Sequence, residues 1–399
     1  MTLRRIDTRT APTLAIATYL WLDGTTPTQD EPTLTQQVRS KVRVVEVWDT
    51  ENSNVPVPNL PDWGFDGSST GQATGQNSDC ILKPVHYVLD PFQKEGLGFL
   101  VLCEVLDAEG TPHVSNTRAR LTSIINEGAA KAESWFGFEQ EYFLYYPDSE
   151  NRGATNGLIM GWPEVGAEPS PQGPYYCGTG AENVVGREIA MRHLRYCMEA
   201  GILIYGLNAE VALGQWEFQI GHRGLSSDTD EANALIASDH LWLARYILDR
   251  VAETYGLAVC YDPKPRQGDW NGSGLHTNFS TWATREPNQG RNELGIPKNI
   301  ATIIDALGET HKEHMAVYGV GNEARMTGEH ETCNYDEFEY GDADRGASIR
   351  IPRDVMTKGC GYIEDRRPAA NADPYLVTRQ LLATSCGFWI SIPPAALLN

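Results

Sequence analysis

Several common signatures are missing from this chain, and each absence removes a class of protein. No run approaches the about 18 apolar residues that a membrane-spanning helix needs, so no membrane partner is expected. There is no GxxxxGK[ST] loop, no GxGxxG behind a strand and no GxSxG elbow. Those absences remove P-loop nucleotide binding, dinucleotide binding and an α/β-hydrolase. Cysteine is present but never in CxxC spacing: Cys80, Cys103, Cys177, Cys197, Cys260, Cys333, Cys360 and Cys386 are dispersed. Neither a zinc knuckle nor a thioredoxin-like motif can be built from them. The expectation is reduced, mostly buried thiols in a cytoplasmic protein. Residues 1–13 carry Arg4 and Arg5 without an apolar run behind them, which does not read as a secretory signal. Cations are scarce, 32 Lys+Arg against 53 Asp+Glu, for a formal charge of -21. Such a surface repels nucleic acid and anionic lipid, so neither is expected as a partner.

What is present fills 399 residues, enough for two domains or one large one. The first part reads as strand-rich. Residues 14–23, 42–48 and 99–106 are apolar strand candidates, and residues 61–79 (PDWGFDGSSTGQATGQNSD) read as a long Gly- and Ser-rich loop. Helical spacing follows at 116–132, with Asn116 as cap, and at 186–200, 239–254, 300–315 and 375–383. Strand-like runs lie between them at 135–146, 202–220, 271–282, 345–351 and 361–366. The mixture predicts an α+β chain, with a small domain over 14–112 and a larger one over 113–399.

The chemistry concentrates in acids set among aromatic residues. In WFGFEQEYFLY (135–145), Glu139 and Glu141 are two apart and share one face of a strand. Buried carboxylates are costly unless something positive sits beside them. Glu210 and Glu217 sit in NAEVALGQWEFQI, with Glu217 between Trp216 and Phe218. In WNGSGLHTNFS, the glycines allow close backbone approach, and His276, Asn278 and Ser280 line one strand face. Tyr362, Glu364 and Arg366 share a face by the same period. Five carboxylates and one imidazole in apolar settings suit Mg²⁺ or Mn²⁺, not zinc. Arg325, Arg345 and Arg350 add the cations that phosphate transfer uses, while Arg353 and Arg367 read as surface salt bridges.

At this level of detail the chain resembles the type II, eukaryotic-like glutamine synthetases. The resemblance runs over FDGSSTGQATGQNSD, WFGFEQEYFLY, PQGPYYCGTGAENVVGRE, NAEVALGQWEFQIG, WNGSGLHTNFST, TGEHET, RGASIRIPRD and GYIEDRRPAANADPY. It implies a small β-grasp-like domain on a larger catalytic domain with a mainly antiparallel sheet. It implies one metal site from Glu141, Glu210 and Glu217 and another from Glu139, His276 and Glu364. Glutamate would contact Asn271, Gly272, His276, Arg325, Arg345 and Arg366; ATP would contact Asn278, Ser280, Arg345, Arg350 and Tyr362. Asp66, with Ser69 beside it, would serve the ammonium, and Glu331 would close over glutamate.

The implied reaction is ATP-dependent ligation of ammonia to glutamate through γ-glutamyl phosphate. The implied assembly is a decamer of two pentameric rings with sites at subunit interfaces. Two alternatives stay open at this stage: a ligase of the same fold that takes another amine, and an inactive relative with a structural role. The segments 25–37, 221–240, 288–299 and the end beyond Cys386 depart from the family pattern, and no adenylylation tyrosine segment is recognisable.

Overall fold

The computed structural model describes residues 13–27, 35–48, 57–147, 158–163, 166–221, 232–287 and 290–387. Half of the atypical 221–240 segment, parts of 25–37 and 288–299, and the end beyond Gly387 lie outside the described residues. The chain forms two compact units that divide between Asn116 and Thr117, with 25–36 and 199–201 exchanged.

The first unit is a six-stranded sheet of β1 (Thr13–Leu22), β2 (Val38–Trp48), β3 (Val57–Pro58), β4 (Trp63–Asp66), β5 (Asp79–Leu89) and β6 (Gly98–Leu106). Its order is β3-β2-β1-β6-β5-β4, antiparallel except for the β1–β6 pair. Tyr19, Trp21, Phe65, Leu82, Phe99 and Val101 form its core. The 61–79 stretch is not one long loop. Trp63–Asp66 pairs with β5 because Phe65 buries itself against Trp21, ring centroids 4.9 Å apart, and anchors the otherwise polar segment. Strand β5 carries little sequence signal because Pro84 and a register shift before His86 break its alternation.

The second unit is built on a nine-stranded sheet. Its strands are β7 (Trp135–Tyr146), β8 (Leu158–Ile159), β9 (Ile204–Ala209), β10 (Gln215–Ile220), β11 (Ala258–Cys260), β12 (Leu275–Ser280), β13 (Tyr340–Asp342), β14 (Ile349–Ile351) and β15 (Ile363–Asp365). The main path is β13-β14-β15-β12-β7-β10-β9, and β8 and β11 also pair with β7. Every pairing is antiparallel but β13–β14. The unit's helices are α1 (Thr117–Glu127), α2 (Arg187–Ala200), α3 (Ala234–Glu253), α4 (Trp282–Arg285), α5 (Lys298–Glu309), α6 (His311–Met315), α7 (Arg353–Lys358) and α8 (Pro374–Cys386). Helix α8 packs on α1, α3 and α5. The architecture is α+β, as expected.

Two helices differ from their sequence outlines for local reasons. Helix α3 starts five residues earlier than position 239, because the Asn233 side chain accepts from the N–H groups of Leu235 and Ile236 and caps it there. The run at 300–315 is two helices. Thr310 Oγ1 donates to the Ala306 carbonyl at 2.8 Å, and its backbone leaves the helical region. Cys80, Cys103, Cys197, Cys260 and Cys333 are buried; Cys177 is exposed, and Cys360 and Cys386 are half-buried. Among the described residues no helix is long and apolar enough to cross a membrane.

Candidate active site

Strand register assembles the acids. In the β7–β10 pair Glu141 lies opposite Glu217, and in the β7–β12 pair Glu139 lies opposite His276. One strand further, Glu364 lies opposite Asn278 on one side and Arg350 on the other. Glu210 follows β9 and is oriented by Asn208, whose side-chain amide donates to it at 2.8 Å. The result is an acidic wall in an open cleft of about 500 Å³. Arg325, Arg345 and Arg366 line the same cleft, with Asn271, Gly272 and Glu331.

Potential ligand atoms of Glu141, Glu210 and Glu217 lie within 4.8 Å of one another, and so do those of Glu139, Glu217 and His276. The first set coincides with the one the resemblance implies. In the second, Glu217 stands where Glu364 was expected. The Glu364 carboxylate accepts from Arg350 Nη1 and Arg366 Nη1, each at 2.6 Å, and is 3.9 Å from His276 Nδ1. Burial pushes Glu141, Glu210 and Glu217 upward, and neighbouring carboxylates add to the rise at Glu210 and Glu217. Burial, followed by the charge of Arg366, holds His276 well below its usual value, so its ring is neutral and able to ligate. Buried, clustered carboxylate oxygens beside one neutral imidazole fit a hard divalent cation.

The expected substrate residues are held by backbone groups. Arg325 is buried and donates to the carbonyls of Arg366 and Arg367 at 3.0 and 3.2 Å. A side chain at position 272 would meet Arg325 Cγ at 2.6 Å and the Pro263 carbonyl at 2.5 Å, so only glycine admits Arg325 here. Asn278 donates to Glu139 at 2.9 Å, and Ser280 accepts from Arg285 at 3.0 Å. Asn278, Ser280, Arg350, Tyr362 and Glu364 are not part of the cleft lining. Tyr362 is half-exposed. Glu331 is exposed on a loop whose consecutive residues His330 and Glu331 both have left-handed backbones, φ 54° and 60°. Two such non-glycine residues store strain that loops at functional sites characteristically carry.

Asp66 and Ser69 belong to the first unit. The Asp66 carboxylate accepts from Ser68 Oγ at 2.6 Å, from the Ser68 N–H at 3.0 Å and from Ser69 Oγ at 3.1 Å. The Ser68 side-chain and backbone hydrogen bonds, then Ser69, lower its pKa and keep the exposed group ionised.

Arg353 is the exposed salt bridge that its sequence suggested, 2.8 Å from Asp342. Arg367 is not. It is completely buried, with two nitrogens on Asp365 at 2.9 and 2.7 Å. Its alternation with Arg366 turns it to the reverse side of the strand, beneath Tyr318 and Phe338. Sequence reasoning also passed over Tyr176, Tyr205, Gln219 and His330, which line the cleft. Gln219 donates to both Glu217 and Asn208. Tyr176, Gln219 and His330 fall within the motif stretches PQGPYYCG, QWEFQIG and TGEHET, so position within a motif was the available signal.

Comparison with known proteins places nearly the whole chain in one family. Residues 16–108 match the family model described as "Glutamine synthetase, beta-Grasp domain", and residues 115–388 match "Glutamine synthetase, catalytic domain". The chain is 47% identical to the chloroplastic glutamine synthetase of Chlamydomonas reinhardtii over 92% of this chain and 90% of that protein. It is 46% identical to the glutamine synthetase of Streptomyces viridochromogenes over 93% of this chain and 96% of the relative. For the Emericella nidulans glutamine synthetase the identity is 47%, covering 93% and 92%. Motif order, sheet register and similarity over nearly the whole length lead to one conclusion: this chain belongs to the glutamine synthetase family.

Proposed function

We propose that the chain is a glutamate–ammonia ligase that couples ATP cleavage to glutamine formation. The observation that carries this is the register of β10, β7 and β12, which gathers three carboxylates and one neutral imidazole on the wall of an arginine-lined cleft, where Glu210 joins them from the end of β9. Glu139, Glu141, Glu210, Glu217 and His276 would hold Mg²⁺ or Mn²⁺, with Glu364 next to them. Bound there, the ions neutralise phosphate charge during transfer.

The remaining chemistry is assigned to this chain's own groups. Asn271, Gly272, Arg325 and Arg366 bind and orient glutamate. Arg345 and Arg350 hold the phosphates, and Asn278, Ser280 and Tyr362 the rest of the nucleotide. A γ-carboxylate oxygen of glutamate attacks the γ-phosphorus of ATP, and the bond to the bridging oxygen breaks, giving γ-glutamyl phosphate and ADP. Glu331 excludes water from that acyl phosphate. Asp66 takes a proton from ammonium, ammonia attacks the acyl carbon, and phosphate leaves with glutamine formed. The hydrogen bonds from Ser68 and Ser69 that lower the pKa of Asp66 keep it ionised and so suit it to binding the cation.

The expected outcome is phosphate release from ATP only when glutamate, ammonium and Mg²⁺ or Mn²⁺ are all supplied, with glutamine accumulating. Turnover with a polyamine or another amine, but none with ammonium, would replace the substrate assignment.

A second part of the proposal concerns assembly. The small domain over 14–112 carries Asp66 and Ser69 on a polar turn, and the acids lie in the catalytic domain over 113–399. In the family pattern that loop serves the site of a neighbouring subunit in a ring, two rings of five forming a decamer. Asp66→Ala and Glu364→Ala are each expected to be nearly inactive alone and to regain activity when co-assembled. Verified mixed oligomers that stay inactive would mean each subunit completes its own site.

A further inference from the structure

The residue between the two acids of β7 points the other way. Glu139 and Glu141 face the cleft, so by strand alternation Gln140 faces the reverse side of the sheet, where it is completely buried. There it meets Arg245 of α3, which is only 3% exposed. We propose that Arg245 and Gln140 are positioning residues that set the spacing of the Glu139 and Glu141 carboxylates, and with it the affinity of the cleft for a divalent cation. This inference rests on the proposed ligase site.

The hydrogen bonds carry the argument. Arg245 Nε and Nη2 donate to Gln140 Oε1 at 2.9 and 2.6 Å. The same Nη2 donates to the carbonyls of Ala370 and Ala372 at 2.9 and 3.0 Å. Gln140 Nε2 donates in turn to the carbonyls of Glu141 at 2.9 Å and Ala370 at 3.1 Å. From there the chain of contacts reaches the next strand. The Ala370 N–H donates to the Ser273 carbonyl, the Glu141 N–H donates to the Gly274 carbonyl, and the Gly274 N–H donates to the Glu141 carboxylate. One guanidinium therefore ties together three backbone stretches. They are the strand that bears Glu139 and Glu141, the turn that leads into His276, and the segment that follows Glu364 and Arg366.

The choice of residue types supports a geometric role. A buried Arg–Gln pair costs more desolvation than apolar residues of similar volume would. Trp242 and Tyr261 flank the guanidinium with ring centroids 4.7 and 5.2 Å away, and its donors and charge face the Ala370 and Ala372 carbonyls and the nearby carboxylates of Asp249 and Asp373. A planar fork fixes two carbonyl-bearing segments in one orientation, which a lysine's single point of donation cannot do. Groups behind metal ligands that orient them are a recognised determinant of affinity.

The test is Mn²⁺ binding to the full-length protein without ATP, followed by electron paramagnetic resonance of the free ion. Wild-type protein is expected to bind. Arg245→Met is expected to bind about 10–100-fold more weakly with its circular dichroism unchanged, and Arg245→Lys to recover none of the loss. Gln140→Met, close to glutamine in volume, should weaken binding in the same direction and decides the matter if Arg245→Met does not fold. A folded variant of either position with wild-type Mn²⁺ affinity overturns the proposal. So does failure of both to fold, which would assign the pair to stability alone. Wild-type protein that binds no Mn²⁺ would instead remove the proposed site, so the two failures are distinguishable.

Discussion

Glu217→Gln is expected to lower kcat by at least about 10³-fold and to abolish binding of more than one Mn²⁺ per subunit. Losing several kcal/mol of charge stabilisation in the transfer step costs a factor of ten for each 1.36 kcal/mol, about 10³ or more in total. The prediction singles out Glu217 because its carboxylate belongs to both ligand groups, whereas Glu141 and Glu210 belong to one and Glu139 and His276 to the other. Glutamine keeps the volume and the contact region of Gln219 while removing the charge, so a folding defect does not explain the loss. Glu210→Gln, which touches one group only, should retain one Mn²⁺ equivalent. Equilibrium dialysis with Mn²⁺ alongside steady-state glutamine formation measures both quantities. Two bound Mn²⁺ ions and near-normal turnover in Glu217→Gln would exclude the shared-ligand arrangement.

Arg367→Met is expected to destabilise the chain by about 3–5 kcal/mol, because it leaves the charge of Asp365 buried without its partner. Asp365 is completely buried and accepts from the Arg367 N–H at 3.1 Å, from the Arg367 guanidinium and from the Tyr318 hydroxyl at 2.8 Å. The Tyr318 proton is committed to Asp365. His314 Nδ1, 2.5 Å from that hydroxyl, is therefore the donor to it, and His314 Nε2 accepts from Thr384 at 2.9 Å. Adding Asp365→Leu to Arg367→Met should restore much of the stability, since a matched apolar pair carries no stranded charge. The check is the denaturant midpoint of wild type, single and double variants at one protein concentration. A single variant as stable as wild type would show that the pair contributes nothing net.

The sequence legibly carried the chemistry wherever a strong local pattern recorded it. The WFGFEQEYFLY run is β7, Trp135–Tyr146, because a long aromatic segment has few alternatives to a buried strand. Its period of two correctly placed Glu139 and Glu141 together on the cleft side. Tyr362, Glu364 and Arg366 were harder to place. Only Ile363–Asp365 is strand, and no periodicity over three residues reveals what lies behind it. For the same reason Arg367 looked like a surface cation. Its burial depends on Tyr318 and Phe338, which are 49 and 29 residues away in the chain.

Residue identity and spacing, unaided, determined that acids sit inside apolar strands, that arginines accompany them, and that the ordered motifs are those of one ligase family. Tertiary structure decided which acid meets which. Alternation assigns a side chain to a face, but only inter-strand register chooses its neighbour, and register arises from pairing between segments far apart in sequence. That pairing put Glu217 opposite Glu141 and His276 opposite Glu139, and it turned Glu364 toward Arg350 and Arg366. It also put Arg245, 105 residues beyond Gln140, directly behind the acids, a contact that no local pattern encodes.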